Sequence, residues 1–492
     1  MGYAVLLKLA DTDGPRPLRS ASLRGWLAGV GYFAVGTWWV AEAFLVDADV
    51  YGWMAPFALV FMAAGLGLFW GLGALIYRAT RPTGPTKVLV FAAALSVAEW
   101  LRGHFLTGFP WNLPGETWAA GSPMSQSAAL VGAYGLTLIT LVISASPAIL
   151  VANQSERSKA LSLGAVVLLL GGLLVWGQAR LAQAPLPNAK MPLIRLVQAN
   201  IDQKEKWRPE NLAEIFATYM HLSTTPTAEA PQIVVWPEGA LPVVVEDLLA
   251  PNSPFVAPLT QGFGPGQVLM MGANRGEAMP GREVAYFNSV IVLRRDAGGL
   301  RRIGHYDKRR LVPFGEFMPL GDLAGRLGIR ALVHMPGDFS VGAPPQPLTM
   351  TGLPTVQPII CYEAVFPGFV SDATRRSGVR PAWILNVSND AWFGATSGPW
   401  QHLNLAGYRA IEEGLPVARA TPTGVTAMLD SYGRVVDGRS LVLGEMGILD
   451  VRLPRAQPPT PFVRYGDWGF LGLLIVCGAV GVANRQRRRQ AN

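Results

Sequence analysis

The chain has 492 residues, of which 50% are hydrophobic and 15% are charged, and its formal net charge is +8. An ordinary soluble domain carries about 25% charged residues. The deficit of charge falls in the N-terminal third and in a short stretch near the C-terminus, so the composition excludes a chain that is soluble throughout. Residues 192–454 have the composition of a soluble domain and are numerous enough for one large core.

Apolar segments long enough to cross a bilayer recur through the N-terminal third. A helix needs about 20 mostly apolar residues to span the hydrocarbon core. Six spans are predicted, at residues 26–46, 53–77, 88–101, 128–151, 161–176 and 468–483. Residues 1–184 are therefore expected to form a helical membrane domain of about five spans, and residues 466–484 a C-terminal transmembrane helix.

With six spans, the basic residues that flank these segments all fall on one side of the membrane. They precede the first predicted span and follow the second, the fourth and the sixth, where the tail 485–492 is rich in arginine. Cytoplasmic loops carry such an excess of Lys and Arg, which places the domain after the fifth span outside the cytoplasm. The same placement argues against nucleic-acid binding. No cleavable signal peptide is expected, because Lys8 interrupts the apolar stretch at residues 3–9.

The soluble segment alternates short β-rich runs with helical stretches. Strands are predicted at residues 193–198, 232–235, 268–272, 289–293, 356–360 and 382–387, and a helix at 400–414. Several of these runs are continuously apolar, which is typical of strands buried on both faces. Strands that alternate with helices predict an α/β layered domain.

Polar residues of the types that take part in catalysis follow three of these runs. Glu238 comes after an apolar strand and a proline, Lys308 lies in a basic cluster that leads through an apolar turn to Glu316, and Cys361 follows the strand at 356–360. Taken singly, each has an ordinary interpretation. A Glu after a strand is usually solvated, a basic cluster is usually a solvated face, and a lone cysteine is usually inert.

Together, one Glu, one Lys and one Cys suffice for acyl transfer. A free thiol has a pKa near about 8.5, so a carboxylate is needed to take its proton. A nearby ammonium stabilises a thiolate and also the oxyanion that forms when a carbonyl is attacked. Such a site needs neither metal nor cofactor, and none is expected. The five histidines (His104, His221, His305, His334 and His402) lack metal-ligand spacing and are interpreted as structural or surface residues.

As an ordered set, the motifs ending in Glu238, Lys308 with Glu316, and Cys361 resemble the Glu-Lys-Cys triad of the nitrilase superfamily. Combined with the membrane segments, they resemble its membrane branch, the apolipoprotein N-acyltransferases. Further similar stretches lie at residues 106–111, 388–394, 398–402, 419–421 and 424–427, so the resemblance covers nearly the whole chain. Family members usually begin with an additional pair of short membrane helices, to which only residues 3–9 correspond here.

The resemblance implies an α-helical membrane bundle joined to an αββα sandwich at residues 192–454. It implies that Cys361 attacks a phospholipid ester and forms a thioester, with Glu238 as general base and Lys308 at the oxyanion. The α-amine of an N-terminal S-diacylglyceryl-cysteine on an apolipoprotein then takes the acyl chain in a ping-pong scheme. The implied location is the bacterial inner membrane, with the catalytic domain on the periplasmic side.

Supporting roles are implied by the same resemblance. Glu316 is expected to orient Lys308, and the Tyr362 N–H is expected to serve the oxyanion hole. The remaining positions carried over from the family are Glu363, Asn288 and Trp207. A Trp or an Asn in such loops is otherwise more often a packing or turn residue.

Three other functions fit parts of the sequence. A membrane-tethered amidohydrolase would use the same triad with water as the second nucleophile, but a tether needs one helix rather than five or six. A channel or transporter would place ionisable residues inside its spans, where only Glu42 and Glu99 are candidates, and Glu99 has Arg102 available as a partner. A catalytically inactive scaffold would lack a member of the triad, and none is missing.

Overall fold

The computed structural model describes residues 1–152, 154–185, 188–278, 284–319 and 338–491, without the side chains of 484, 485 and 487–491. The chain divides into two compact units. One comprises Met1–Ala184, Ile411–Glu413 and Pro459–Asn492, and the other comprises Pro185–Ala410 and Gly414–Pro458. Of the basic tail predicted at 485–492, only the Gln486 side chain is among the described ones.

The first unit is helical. Its α-helices are Gly2–Asp11, Pro17–Gly36, Ala48–Tyr51, Ala55–Thr80, Thr86–His104, Ala128–Ala145, Glu156–Ala182, Pro461–Tyr465 and Trp468–Ala491. Short 3₁₀ helices lie at Trp38–Phe44, Gly52–Met54, Pro114–Thr117, Met124–Ser127 and Ser146–Ile149. A helix satisfies its backbone hydrogen bonds within one segment, which is the requirement that a bilayer imposes.

Three helical stretches within the described residues are long and apolar enough to cross a membrane: Ala48–Thr80, Met124–Ile149 and Glu156–Ala182. Trp468–Ala483 is a shorter apolar helix. On Glu156–Ala182 large apolar side chains are open to the surroundings, with Leu168 77% and Val175 72% exposed. An apolar surface of this extent is unfavourable in water and suits contact with lipid.

The helix bounds differ in part from the predicted spans. The helix Pro17–Gly36 ends ten residues before the predicted end at 46, and the chain continues as the 3₁₀ helix Trp38–Phe44. The helix Glu156–Ala182 extends beyond the predicted 161–176 at both ends, because its polar first and last turns continue the same hydrogen-bonded helix. The six-span topology stays a prediction.

A buried ion pair lies within the helix Thr86–His104. The side chains of Glu99 and Arg102 are both 0% exposed, and the Arg102 Nε donates to Glu99 Oε2 at 3.1 Å. The Trp70 Nε1 donates to Glu99 Oε1 at 2.5 Å, and the Arg102 guanidinium donates to the carbonyl of Trp111 at 2.9 Å. The expected pairing of Glu99 with Arg102 is confirmed, and both charges have partners.

Among its described residues, the second unit contains eleven strands: β1 Leu193–Gln198, β2 Ile233–Trp236, β3 Val268–Glu277, β4 Ala285–Asp296, β5 Gly299–Asp307, β6 Val356–Ile360, β7 Trp383–Val387, β8 Val417–Ala420, β9 Thr426–Leu429, β10 Val435–Leu441 and β11 Gly447–Arg452. They form a six-stranded sheet in the order β11-β1-β2-β3-β4-β5 and a five-stranded sheet in the order β10-β9-β8-β7-β6. The four pairs β1–β2, β2–β3, β6–β7 and β7–β8 are parallel.

The α-helices of this unit are Gln203–Lys206, Leu212–Thr224, Val245–Leu248, Val256–Gly262, Phe369–Ser377 and Gly398–Glu413, and its 3₁₀ helices are Pro209–Asn211, Cys361–Val365 and Asp390–Phe393. The inner faces of the two sheets share one apolar core, in which Leu196 and Val290 lie with Leu385. The outer face of the six-stranded sheet forms a second core with Phe216 and Tyr219 of the helix Leu212–Thr224. The predicted αββα sandwich is confirmed.

Exchanging Arg102 for Met tests the buried ion pair. The variant leaves the Glu99 charge buried without its cation, and breaking such a pair destabilises a protein by about 3–5 kcal/mol. We expect a clear drop in the thermal unfolding midpoint of the detergent-solubilised protein. The double variant Glu99→Met with Arg102→Met is expected to unfold at a higher temperature than Arg102→Met alone. A single variant as stable as the wild type would contradict a structural role for the pair.

Candidate active site

Cys361 directly follows strand β6 and opens the 3₁₀ helix Cys361–Val365. Its φ angle is +47°, in the left-handed region that a residue with a Cβ rarely adopts. The side chain is partly exposed. The turn therefore presents the thiol at the end of a buried strand, in a backbone conformation that the surrounding contacts must maintain.

Glu238 lies two residues after strand β2, and 7% of it is exposed. Its Oε1 accepts hydrogen bonds from Asn288 Nδ2 at 2.7 Å and from Lys308 Nζ at 3.1 Å. Its Oε2 accepts from the backbone N–H of Asn389 at 2.7 Å. Three donors thus fix the carboxylate in one orientation, whereas a Glu after a strand is usually solvated.

A close backbone approach holds the turn that carries Glu238 against strand β3. A Cβ added at Gly272 would lie 2.5 Å from the Glu238 Cα and 2.4 Å from the Pro237 carbonyl oxygen. The Ala240 N–H donates to the Gly272 carbonyl at 3.0 Å across the same gap. A glycine at 272 is therefore needed for the carboxylate to lie where it does.

Lys308 is 1% exposed and follows strand β5. Its Nζ donates to Glu238 at 3.1 Å and forms an ion pair with Glu316 Oε2 at 2.9 Å. Burial by itself lowers the pKa of Lys308, but the charges of Glu238 and Glu316 outweigh burial and raise it above the ordinary lysine value. The amine therefore stays protonated throughout the physiological range.

Glu316 and Asn288 complete this cluster. The Glu316 Oε2 accepts from the backbone N–H of Val312 at 2.9 Å, which closes the turn between Lys308 and Glu316. The Asn288 Nδ2 donates to Glu316 Oε1 and to Glu238 Oε1, each at 2.7 Å. The expected pairing of Glu316 with Lys308 is present, and Asn288 bridges the two carboxylates rather than serving as a turn residue.

The thiol of Cys361 is protonated at rest. Burial is the main cause that raises its pKa, to about 12; the Glu238 charge raises it further, and the Lys308 charge lowers it. The ammonium alone therefore does not produce a resting thiolate. A base must remove the thiol proton as the sulfur attacks.

Glu363 holds the turn at the nucleophile. It is 0% exposed, and its carboxylate accepts from the Ile360 N–H at 2.8 Å, the Tyr306 hydroxyl at 2.8 Å and the Arg309 N–H at 2.6 Å. Burial raises the pKa of Glu363 to about 7, although these hydrogen bonds favour the ionised form. Glu363 thus joins the ends of strands β5 and β6 rather than facing a substrate.

Tyr362 and Trp207 are the two remaining residues that were predicted to support the site. Tyr362 is 6% exposed, and its ring stacks edge-on against Phe366 with centroids 5.0 Å apart. Trp207 ends the one-turn helix Gln203–Lys206 and is partly buried, with its ring centroid 5.8 Å from the Lys206 Nζ. The structure places both residues near the cluster, but their contacts alone assign them no chemical role.

A buried polar network lies against the backbone of Cys361, and no pattern in the sequence predicts that its residues contact one another. The His402 Nε2 lies 3.1 Å from the Cys361 carbonyl oxygen, and its Nδ1 lies 3.0 Å from Asp390 Oδ1. The Arg419 guanidinium donates to Asp390 Oδ2 at 2.5 Å, and the Ser388 hydroxyl donates to Asp390 Oδ1 at 2.9 Å. His402 is therefore structural, as predicted, and supports the strained backbone of the nucleophile; His334 lies outside the described residues.

The charged groups of this network shift one another's pKa values. Burial raises the pKa of Asp390, but the Arg419 and His402 charges outweigh it and lower the pKa below the usual aspartate value. Burial and the Arg419 charge lower the pKa of His402. The signal available in the sequence was the run Ser388-Asn389-Asp390 directly after a fully buried strand.

Two family models match the chain. The apolipoprotein N-acyltransferase N-terminal domain matches residues 1–146, and the carbon-nitrogen hydrolase domain matches residues 193–458. The apolipoprotein N-acyltransferase of Caulobacter vibrioides is 50% identical over 487 residues, which cover 99% of this chain and 90% of the relative. That of Bradyrhizobium diazoefficiens is 39% identical over 501 residues, again covering 99% and 90%.

Solved structures that are similar to the chain include an amidase from Nesterenkonia sp. AN1. It is 18% identical, has a TM-score of 0.36, and the match covers 54% of this chain and 93% of the amidase. Identity and TM-score at this level support no inference about chemistry. The family models and the full-length relatives carry the assignment: the chain belongs to the apolipoprotein N-acyltransferase family and is an acyltransferase with a nitrilase-like α/β unit.

Proposed function

We propose that the chain transfers a fatty acyl group from a phospholipid to the α-amine of the N-terminal S-diacylglyceryl-cysteine of apolipoproteins, through a thioester on Cys361. The observation that carries this proposal is the buried cluster of Glu238, Lys308 and Glu316, in which the charges of Glu238 and Lys308 act on the Cys361 thiol. A fixed carboxylate, a permanent cation and a neutral thiol are the parts that acyl transfer requires.

In the first half-reaction, the Cys361 sulfur attacks the ester carbonyl of the phospholipid while Glu238 takes the thiol proton. The Lys308 ammonium and the Tyr362 N–H stabilise the oxyanion of the tetrahedral intermediate. When the intermediate collapses, the carbon–oxygen bond breaks, the leaving oxygen takes the proton from Glu238, and a lysophospholipid departs. The acyl chain stays on the sulfur as a thioester.

In the second half-reaction, the neutral α-amine of the acceptor attacks the thioester carbonyl. Glu238 takes a proton from the attacking nitrogen, and Lys308 stabilises the second oxyanion. The carbon–sulfur bond then breaks, and the sulfur takes the proton from Glu238, so that the Cys361 thiol is restored. Both halves use the same base and the same cation, as a ping-pong scheme requires.

The other residues of the cluster hold these groups in place. Glu316 keeps Lys308 charged and directed at Glu238, and Asn288 ties the two carboxylates together. Glu363 fixes the turn at Cys361.

The membrane part explains how two lipid-anchored substrates reach one site. Moving a single acyl chain into water costs about 0.8 kcal/mol per CH₂ group, so an enzyme held at the bilayer surface avoids that step. We assign six spans, with residues 192–454 on the periplasmic side of the bacterial inner membrane and the tail 485–492 in the cytoplasm. The one-sided placement of Lys and Arg beside the apolar segments supports this orientation.

Intact-protein mass spectrometry tests the thioester directly. After incubation with phospholipid alone, the wild type is expected to gain the mass of one fatty acyl group, and a diacylglyceryl peptide with a free amine is expected to discharge it. Cys361→Ser should remain folded and show no turnover, whereas Cys477→Ala, which removes the other thiol, should behave as the wild type. Near-full activity in Cys361→Ser would remove the nucleophile assignment. Steady release of free fatty acid without an adduct would favour a tethered hydrolase.

Single-turnover kinetics test the oxyanion role of Lys308. Lys308→Ala is expected to slow thioester formation by about 10²–10³-fold, the usual effect of losing one oxyanion donor. Lys190→Ala, at an exposed position, is the matched control and should leave the rate unchanged. Thermal unfolding of both variants separates slow chemistry from misfolding. A folded Lys308→Ala variant with the wild-type rate would exclude Lys308 from this role.

A further inference from the structure

A buried hydroxyl lies beside the nucleophile. Strands β6 and β7 are parallel neighbours, and the last pair in their register is Ile360 opposite Val387. The next residue along each strand is Cys361 in one and Ser388 in the other. Ser388 is 0% exposed, and its side chain forms a hydrogen bond with the Cys361 thiol. The reacting sulfur therefore has a polar contact outside the Glu-Lys-Cys triad.

The same hydroxyl has a second partner. The Ser388 O–H donates to Asp390 Oδ1 at 2.9 Å. Asp390 has other partners as well, because the Arg419 guanidinium donates to its Oδ2 at 2.5 Å and the His402 Nδ1 lies 3.0 Å from its Oδ1. The backbone N–H of Ser388 donates to the Ala420 carbonyl at 3.0 Å. The hydroxyl can therefore turn away from Asp390 while its own backbone and the carboxylate keep their other contacts.

One hydroxyl carries one proton and donates to one acceptor at a time. While the Cys361 sulfur is a thiol, the Ser388 O–H donates to Asp390, and the Ser388 oxygen can accept from the S–H. Negative charge develops on the sulfur twice in the proposed mechanism: when the thiol proton passes to Glu238, and when the carbon–sulfur bond of the thioester breaks. The sulfur is then an anionic acceptor in direct contact with the hydroxyl, and hydrogen bonds to ionised acceptors are about twice as strong as those between neutral groups.

We propose that Ser388 is a further catalytic residue of the acyl-transfer site, whose hydroxyl turns from Asp390 to the Cys361 sulfur and stabilises the negative charge on the sulfur during attack and departure. The hydroxyl donates a hydrogen bond and keeps its proton, so Glu238 remains the base and the proton balance of both half-reactions is unchanged. The inference rests on the proposed thioester mechanism and adds to it a hydroxyl that the Glu-Lys-Cys triad does not include.

The expected size of the effect follows from two opposing changes. Removing one hydrogen bond to a charged sulfur lowers the thiolate fraction about tenfold. The remaining thiolate is more basic and is therefore a stronger nucleophile, which returns about threefold. Ser388→Ala is thus expected to lower the reactivity of the thiol about threefold. The charges of Glu238, Lys308 and Asp390 also act on the thiol, and these three residues are unchanged in the variant.

The test is the rate at which iodoacetamide alkylates Cys361, followed by intact-protein mass spectrometry at pH 7, 8 and 9. Every protein carries Cys477→Ala, so that Cys361 is its only thiol. Ser388→Ala is expected to react about threefold more slowly than this parent protein at each pH. Ser431→Ala is the matched control, because Ser431 is 1% exposed and its hydroxyl donates to the Arg455 carbonyl at 2.6 Å. The control should react at the parent rate.

Ser388→Thr and Ser388→Val separate the effect of the hydroxyl from that of packing. The two introduced side chains have nearly the same shape and differ in one hydroxyl group, so any loss of packing affects both variants alike. Ser388→Thr is expected to react about threefold faster than Ser388→Val. Thermal unfolding of each variant shows whether it is folded.

Equal rates in Ser388→Ala and the parent, or in Ser388→Thr and Ser388→Val, overturn the inference, and the thioester mechanism then stands without it. If one of the two variants that lack a hydroxyl does not fold, the other comparison decides. If neither folds, the infrared S–H stretching band of Cys361 in the parent decides. A band at the frequency of a thiol without a hydrogen bond overturns the inference, and a band lowered by hydrogen bonding supports it.

The alkylation assay also separates this inference from the proposed function, because alkylation of Cys361 needs no phospholipid. A parent protein that is alkylated as expected but forms no thioester with phospholipid overturns the proposed function, whereas the alkylation rates still decide whether Ser388 stabilises the sulfur anion.

Discussion

The active-site unit depends on charges that are buried and paired with one another. Glu238, Lys308 and Glu316 are each at least nine-tenths buried, and the ammonium lies between the two carboxylates. Removing such charges from water is costly, and the cost is offset only when the geometry is good and the remaining donors and acceptors are satisfied. Asn288, the Val312 N–H and the Asn389 N–H meet that requirement. Because these partners come from strand β4 and from the segments that follow β5 and β7, the cluster also fixes how those parts of the chain lie against one another.

The sandwich makes this cluster possible. Parallel strands have their carboxyl ends at the same edge of a sheet, so residues that follow β6 emerge on the same side as those that follow β7. Because the two sheets share one core, the strand ends of one sheet lie close to the strand ends of the other. His402 contacts the carbonyl oxygen of Cys361, and Glu363 accepts from the N–H of Ile360, the residue before it. These contacts maintain the left-handed backbone of Cys361. A thiol with a raised pKa in such a site stays neutral until a base removes its proton.

In the membrane unit, too, the buried charges are paired with each other. Its long apolar helices need lipid around them, and the one buried ion pair on Thr86–His104 is satisfied by Trp70 and by backbone carbonyls. Charged residues inside a membrane often mark a transport path. Here Glu99 and Arg102 neutralise each other and hold the following loop, so they support a structural part rather than a channel.

The sequence by itself determined the elements whose signal is local. Continuous apolar runs located β1 and β6 to the residue, three of the apolar segments located the helical stretches that are long and apolar enough to cross a membrane, and the three motifs located Glu238, Lys308 and Cys361. Tertiary structure alone decided the rest. The half-exposed strands β5, β10 and β11 carry mixed polar residues without a continuous apolar run, so no local pattern revealed them. The contacts of His402 with Cys361 and of the Asn389 N–H with Glu238 join residues more than 30 positions apart, and the high pKa of the thiol arises from burial. Burial and long-range proximity are properties of the packed chain, and therefore only the folded structure could supply them.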